Sequence, residues 1–161
     1  NLFAYTCAFS VFACAGGASR VVNVDMSKRA IAIGQRNQRH NDQSASEVRY
    51  LPHDLFKSWG KLKKLGPYDC VVVDPPSYQF KSFVLERDYP KVLRRLESLT
   101  NPGAHVLLCM NHSGKTPDQL VAMAAEHAPE LTFVERLPPA PDHLDASPDA
   151  ALKMLVFQRA T

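Results

Sequence analysis

Three aspartates each follow a predicted strand, and their positions are the first indication of chemistry in this sequence. Asp25 ends a strand over residues 20–25, Asp54 comes just after a strand over 48–51, and Asp74 directly follows a strand over 70–73. Since the carboxyl ends of parallel strands meet at one edge of a sheet, we expect the three carboxylates to converge on one cleft. One carboxylate can accept both hydroxyls of a ribose and another an adenine amino group, so the pattern favours a nucleoside ligand over three unrelated turn residues.

The residues that follow the third of these strands strengthen this interpretation. Valines at 71–73 predict a buried strand, which stops at Asp74-Pro75-Pro76. Both prolines lack a backbone N–H and have a fixed φ, so the chain must leave the sheet in a stiff, extended loop. That loop would hold an acid, and the ring of Tyr78, at the ligand-binding edge of the sheet. The alternative is an ordinary exit from a strand, since Asp-Pro commonly begins a turn.

The loop over residues 1–9 argues against a ligand bound by its phosphates. It has neither the G-x-G-x-x-G of dinucleotide sites nor the G-x-x-x-x-G-K-[ST] of a phosphate loop, and it contains no lysine. A pyrophosphate would therefore be poorly bound here. A nucleoside that carries a charged, amino-acid-like tail fits this loop better.

Alternating helices and strands predict how these residues are positioned. Small and apolar residues at 8–15 predict a short helix that ends at Gly16-Gly17, and Ser27 is a suitable N-cap for a helix to about residue 41. Apolar residues at helical spacing predict a helix over 55–65. The other predicted elements are a strand tail at 1–4, a mixed segment at 81–89, helices at 90–99 and 117–127, strands at 105–110, 131–137 and 152–158, and a proline-rich loop at 138–148.

This order of elements predicts an α/β fold with a mostly parallel sheet. The last two strands are joined without a helical pattern, which suggests an antiparallel pair at one edge. With 161 residues, a single domain over 1–161 is expected. No stretch approaches the roughly 18 consecutive apolar residues of a membrane span. Four cysteines without a C-x-x-C pair predict structural thiols in a reducing compartment, with no metal or disulfide role.

Four short motifs, in order along the chain, resemble class I S-adenosylmethionine-dependent methyltransferases, and most of all the bacterial 23S ribosomal RNA large-subunit methyltransferases of the RlmI type. The motifs are Asn-Leu-Phe-Ala-Tyr-Thr at 1–6, Val-Asp-Met-Ser-Lys-Arg-Ala at 24–30, Asp-Leu-Phe at 54–56 and Asp-Pro-Pro-Ser-Tyr at 74–78. The resemblance implies a Rossmann-like fold with a mostly parallel seven-stranded sheet, an antiparallel C-terminal hairpin and helices on both faces. It also implies S-adenosylmethionine as cofactor and a base of 23S ribosomal RNA as substrate.

The resemblance carries particular roles to particular positions. Asp25 would bind the ribose hydroxyls, and Met26 would pack against the adenine. A ring face such as that of Tyr78 can stack on any target base. The implied contacts to the cofactor come from Phe3, Tyr5, Thr6, Asp25, Met26, Asp54, Leu55 and Asp74. The residues implied beside the methyl group and the target base are Asp74, Pro75, Pro76, Tyr78 and His112.

Two departures from the family pattern bear on chemistry. Cys7-Ala8 stands where relatives have two small residues, so the Cys7 side chain is expected to narrow the cofactor loop. Relatives that methylate carbon 5 of cytosine use a cysteine after the fifth strand, because that carbon needs a thiolate to attack the ring. His112 stands at that position, and Cys109 lies inside the strand. A nitrogen target needs no covalent step, and His112 would be a proton acceptor, a base contact or an ordinary surface residue.

The charges and the start of the chain complete the expectations. The net charge of +3 permits a polyanionic partner without requiring one. Basic residues that follow the Pro-Pro loop are the best candidates for phosphate contacts, and the abrupt start suggests a longer protein with RNA-binding residues N-terminal to this chain, in the cytoplasm. The sequence leaves open a homodimer, a protein or small-molecule substrate, and a non-catalytic nucleotide-binding module. The candidate phosphate contacts are Lys81, Arg87, Lys91, Arg94 and Arg95.

Overall fold

The computed structural model describes residues 1–41, 47–76, 78–79, 83–138 and 151–161, with the side chains of 78 and 79 left out of the description. The chain divides into two compact units, Asn1–Leu65 and Gly66–Thr161. Most of the predicted proline-rich loop, residues 139–148, lies outside the described residues, as does Lys81.

The first unit is built on a parallel pair of strands flanked by helices. Strand β1 (Arg20–Val24) pairs in parallel with β2 (Glu47–Leu51), and Leu2 forms an isolated parallel bridge with Val24 where a strand tail was predicted. Helix α1 (Ala8–Ala15) packs against β1 and against α2 (Lys28–His40). Both helices have the predicted limits, because Ser27 Oγ caps α2 through the Ala30 N–H at 3.1 Å and Gly17, at φ 88°, allows the turn after α1.

The predicted helix over 55–65 is divided into two pieces. A 3₁₀ turn, Leu55–Lys57, precedes helix α3 (Trp59–Leu65). Asp54 caps the turn by accepting from the Phe56 N–H at 2.9 Å, and Ser58 Oγ donates to the Asp54 carbonyl at 2.7 Å. These short-range bonds satisfy the first turn locally, so the continuous helix that apolar spacing predicts does not form.

The second unit contains a mixed four-stranded sheet. Its strands are β3 (Tyr68–Val73), β6 (Thr100–Met110), β7 (Leu131–Arg136) and β8 (Lys153–Arg159), in the spatial order β3-β6-β8-β7. β3 and β6 are parallel, whereas β8 runs antiparallel to both β6 and β7. The predicted antiparallel pair is therefore confirmed. Residues 101–103 lie inside β6, where the β3–β6 register shifts and Gly103 has a positive φ.

The segment between β3 and β6 differs from its prediction. A short antiparallel hairpin, β4 (Tyr78–Gln79) and β5 (Phe83–Val84), leads into α4 (Leu85–Leu93), so the predicted irregular segment at 81–89 and helix at 90–99 are wrong in their limits. Helix α4 begins five residues before its predicted start. Its N-cap residue, Val84, has no side chain that caps the helix, and the Asp88 carboxylate instead accepts from the Val84 N–H at 2.9 Å. Helix α5 (Pro117–His127) has the predicted limits and packs against α4.

These elements form the Rossmann-like α/β fold that the sequence predicts: parallel strands alternating with helices, closed by an antiparallel strand. Thr116 and Gln119 form a reciprocal capping box at the start of α5, which explains why its limit was predictable. Among the described helices, none has the length and apolar character needed to cross a bilayer.

Candidate active site

The loop at the start of the first unit has an unusual backbone. Phe3, Tyr5 and Cys7 all have left-handed φ values, of 59°, 46° and 60°. Each such conformation costs a non-glycine residue about 1 kcal/mol or more, so the surrounding bonds must hold the loop in place. Ala4 donates to the Val24 carbonyl at 2.9 Å, and Cys7 donates to the Ala4 carbonyl at 2.7 Å. The loop therefore turns tightly over the carboxyl end of β1.

The Asp25 carboxylate ties this loop to the following helix. Its Oδ2 accepts from the Tyr5 N–H and its Oδ1 from the Ser27 N–H, both at 2.8 Å. An ionised carboxylate has about four acceptor positions, so these two bonds leave capacity for two more donors. Two further acceptor positions are what the two hydroxyls of a ribose would require, so the role expected for Asp25 stays a prediction.

Apolar side chains of this region face solvent beside the carboxylate. Tyr5 is 70% exposed and Met26 is 48% exposed, although both are large hydrophobic residues. Phe3 and Thr6 are half-buried, and the Thr6 carbonyl accepts from Asn37 Nδ2 at 3.0 Å. Exposed apolar surface next to a fixed charge is typical of a site that binds an amphipathic ligand.

Cys7 is accommodated by a glycine on α2. The thiol is buried. Its burial is the main reason, and the negative charge of Asp25 the second, why the pKa of Cys7 is raised to about 11. A Cβ added at Gly34 would lie 2.4 Å from Cys7 Sγ and 2.8 Å from its Cβ. The extra atoms of Cys7, which departs from the family pattern, therefore occupy the space that the missing Gly34 side chain leaves.

Asp54 and Leu55 lie after β2, in the same unit. Asp54 Oδ1 is used in capping the 3₁₀ turn, and within the described residues Oδ2 makes no hydrogen bond. Leu55 is only 5% exposed, so its side chain belongs to the core. Of this pair, the Asp54 carboxylate is the group that can meet a polar ligand atom.

Asp74 and the two prolines lie in the second unit, after β3. Asp74 is half-buried, and desolvation raises its carboxyl pKa. Pro75 is buried and Pro76 is exposed, so the loop begins in the core and leaves it within two residues. The Tyr78 side chain lies outside the described residues. Because Asp74 and Asp25 belong to different units, the predicted convergence of three carboxylates stays a prediction.

Two buried groups lie close to Asp74 on neighbouring elements. Cys109 is 1% exposed. Its pKa is raised to about 12, mainly by this burial and secondly by the negative charge of Asp74. Tyr89 is fully buried, its hydroxyl donates to the Cys109 carbonyl at 2.9 Å, and burial raises its pKa well above the usual value. A thiol nucleophile reacts as the thiolate, so burial and the raised pKa make the Cys109 thiol a poor nucleophile at neutral pH.

His112 follows β6 and is held from two sides. Its Nδ1 accepts from the Gly114 N–H at 3.0 Å, while its carbonyl accepts from Lys153 Nζ at 2.8 Å and from the Lys115 N–H at 3.2 Å. Lys153 is fully buried and was missed at the sequence level. The signal was present, because Lys153 shares the buried alternate positions of β8 with Leu155 and Phe157.

Three of the candidate phosphate contacts already contact other side chains of the protein. Arg87 and Lys91 bind the buried Asp88 carboxylate at 2.6 and 2.8 Å, and Arg94 Nη2 lies 3.2 Å from His127 Nδ1. Their charge is therefore partly used inside the protein.

The four thiols differ in their exposure. All four cysteines are free; three are buried and Cys70 is exposed.

Comparison with known proteins identifies relatives over most of the chain. A sequence model of the family described as S-adenosylmethionine-dependent methyltransferase matches residues 1–158. Ribosomal RNA large subunit methyltransferase I from Enterobacter sp. (strain 638) is 36% identical over 152 residues, which cover 89% of this chain and 38% of that protein. The chain thus spans less than half the length of this curated relative.

Solved structures show the same fold. A protein from Streptococcus mutans assigned as an S-adenosylmethionine-dependent methyltransferase superimposes with a TM-score of 0.87 at 24% identity, over 98% of this chain and 43% of that one. N-methyltransferase NodS from Bradyrhizobium japonicum WM9, solved with S-adenosylhomocysteine, gives a TM-score of 0.67 at 15% identity, over 98% and 75%. At these identities the likeness establishes the fold.

Proposed function

Because the chain belongs to the S-adenosylmethionine-dependent methyltransferase family, we propose that it carries the catalytic residues of an enzyme that methylates a base in ribosomal RNA, most specifically 23S ribosomal RNA. The observation that carries the RNA substrate is the 36% identity to a ribosomal RNA large subunit methyltransferase over 89% of the chain. The cofactor, S-adenosylmethionine, follows from the family itself.

Residues of the first unit bind and orient the cofactor in this proposal. Asp25 accepts the ribose hydroxyls with the capacity that its two backbone bonds leave, and Met26 covers the adenine. Asp54 Oδ2 accepts the adenine amino group, and the buried Leu55 contributes only through its backbone. Phe3, Tyr5 and Thr6 surround the methionine portion.

Residues of the second unit hold the base that receives the methyl group. S-adenosylmethionine supplies a sulfonium-bound, electrophilic methyl group. The Asp74-Pro75-Pro76 loop offers backbone carbonyls to an exocyclic amino group, which would hold its lone pair in line for attack. The ring of Tyr78 stacks on the base. Since the Cys109 thiol is buried with a pKa of about 12, a nitrogen acceptor suits this site better than carbon 5 of cytosine.

The wider architecture belongs to the proposal as well. In this proposal one seven-stranded sheet has helices on both faces, so that residues 1–161 make one methyltransferase domain. Its strands would be the segment at Leu2, β1, β2, β3, β6, β8 and β7. Since the chain covers 38% of its curated relative, we place this domain in a longer protein. Its ribosomal RNA substrate would put that protein in the cytoplasm, and a homodimer remains a hypothesis.

The test is methyl transfer from labelled S-adenosylmethionine to separated cell fractions, prepared from cells in which the gene is deleted. Label in large-subunit ribosomal RNA supports the proposal, and digestion to nucleosides identifies the atom. Label confined to protein or metabolite fractions would replace RNA with another substrate. Cofactor binding without transfer to any fraction would indicate a non-catalytic module.

A further inference from the structure

His112 and the Asp74 loop leave the second unit's sheet at one edge. β3 and β6 are parallel neighbours, with Val73 opposite Leu108, so the residues that follow each strand emerge side by side. In open α/β sheets this carboxyl edge is where ligands bind. His112 therefore stands next to the loop that we propose holds the target base.

The hydrogen bond from Gly114 determines which nitrogen of the His112 ring can donate. Nδ1 accepts the Gly114 N–H at 3.0 Å, so Nδ1 carries no proton in this arrangement. In a neutral imidazole the proton then resides on Nε2, which becomes a donor. Within the described residues Nε2 has no hydrogen-bond partner. The ring is thus arranged to donate to a group outside the described chain.

The absence of a side chain at Gly114 leaves room for this ring. A Cβ added at Gly114 would lie 3.2 Å from His112 Cε1 and 3.4 Å from Nδ1. The first of these distances is tighter than ordinary van der Waals contact, so a side chain at 114 would require the ring to move by a few tenths of an ångström. Glycine at this position lets the backbone N–H approach the ring closely.

The backbone of His112 is anchored separately, by a buried charge. Lys153 is fully buried on β8, and its Nζ donates to the His112 carbonyl at 2.8 Å. A buried ammonium is costly unless hydrogen bonds satisfy it, so this contact strongly favours one position of the loop. A histidine with an incidental place in a surface loop would not require such an anchor.

We propose that His112 donates a hydrogen bond, through Nε2–H, to an acceptor atom on the base that receives the methyl group, and that Lys153 is the residue that positions it. This inference rests on the proposed function. The base must therefore present a carbonyl oxygen or an unprotonated ring nitrogen towards His112. A base with an amino group at that place would be selected against, because two donors would face each other. The role as a proton acceptor, considered from the sequence, is replaced by that of a donor.

The tautomer is tested first, without any need for activity. Nitrogen-15 NMR of the histidine rings, with His112 assigned by its loss in His112→Gln, should show a protonated Nε2 and an unprotonated Nδ1. In Gly114→Ala this preference should weaken. A proton on Nδ1 in the native chain would overturn the proposal.

The donor role is tested by methyl transfer to the RNA fraction that the wild-type chain labels. His112→Ala should lower kcat/KM by about 10- to 100-fold, while the Kd for S-adenosylhomocysteine stays within about twofold. His112→Gln should recover most of the loss because its amide N–H reaches a similar position. The matched control is His105→Gln, an exposed position on β6, the strand that precedes His112, and this variant should keep full activity.

The positioning role of Lys153 has its own measurement. Lys153→Met should lower kcat, leave cofactor affinity within about twofold, and speed hydrogen exchange at the Gly114 amide, because the loop loses its anchor. If Lys153→Met fails to fold, Gly114→Ala provides the second variant, with the same expected fall in kcat. Unchanged methylation in His112→Ala would overturn the donor role alone. Absence of S-adenosylhomocysteine binding by the wild-type chain would instead overturn the proposed function.

Discussion

Asp25 has two tasks at the residue scale, and they are separable in principle. It fixes the backbone at Tyr5 and Ser27, and it has acceptor capacity for a ligand. The sequence predicted the second task from the position of an acid after a strand. The first task could not be predicted, because it depends on a loop in which Phe3, Tyr5 and Cys7 have left-handed φ values although none of them is glycine.

We predict that Asp25→Asn weakens S-adenosylhomocysteine binding by roughly tenfold to a hundredfold, measured by titration calorimetry. A hydrogen bond to a charged partner contributes about 1.5–3 kcal/mol, which corresponds to that range. The control is Glu47→Gln, at the opposite end of the β1–β2 pair, which should bind as the wild type does. Equal affinity in Asp25→Asn and the wild type would remove Asp25 from the cofactor site.

We also predict strong coupling between Cys7 and Gly34. Gly34→Ala should lower the free energy of unfolding by about 1–3 kcal/mol, because its Cβ would overlap the thiol. In a Cys7→Gly background, Gly34→Ala should lower the free energy of unfolding much less, since the thiol is gone. The background itself is suitable because glycine accepts a φ of 60° without strain. Urea unfolding of the four proteins measures the coupling. Additive effects would mean that the two positions do not compete for space.

At the element scale, α4 depends on one buried carboxylate. Hydrogen bonds from Arg87, and then from Lys91 and the Val84 N–H, hold the pKa of Asp88 well below its usual value. The folded chain therefore releases this proton more readily than the unfolded chain does. The resulting stabilisation is complete above the unfolded value of about 4 and is lost as the pH falls towards the folded pKa.

We expect the wild type to have a higher urea midpoint than Asp88→Asn, by a margin that is constant above about pH 5 and shrinks as the pH falls from about 5 to 3. Asp118→Asn, an exposed aspartate in the first turn of α5, is the comparison within the same unit. The explanation would be wrong if both variants changed equally with pH. The test also probes the start of α4, because Asp88 binds the Val84 N–H there.

Elements were predictable from the sequence where their limits depend on interactions between residues close together in the chain. α1, α2 and α5 were predicted correctly because their limits depend on local signals, such as the Ser27 cap. The limits of α4 were not, since Pro90 resembles a first-turn proline and the cap from Asp88 is visible only in three dimensions. Lys153 was overlooked because a lysine is expected at the surface, although its place in the alternation of β8 indicated burial.

At the scale of the whole molecule, the net charge of +3 indicates few phosphate contacts. Arg87 and Lys91 are already bound to Asp88, which lowers the number further. We predict that the RNA KM of this chain depends on salt with a log–log slope below about 3 in magnitude, since each contact to a single strand contributes about 0.7.

Kinetics between about 50 and 200 mM salt measure this slope. Arg95→Ala should reduce it by about 0.7, whereas Arg20→Ala, at the amino end of β1, should leave it unchanged. A slope near 7 would mean that many more cations of this chain contact phosphate than the pairings suggest.

The position of β8 also has a consequence for biosynthesis. β8 follows β7 in the chain, yet it lies between β7 and β6. A ribosome delivers these segments in sequence order, so β7 emerges before the strand that joins it to the sheet. Until Lys153–Arg159 is synthesised, both neighbours present unpaired edges that can associate with other chains. Nascent chains arrested before β8 should therefore remain protease-sensitive over 66–136, and a chaperone that covers strand edges should act during this interval.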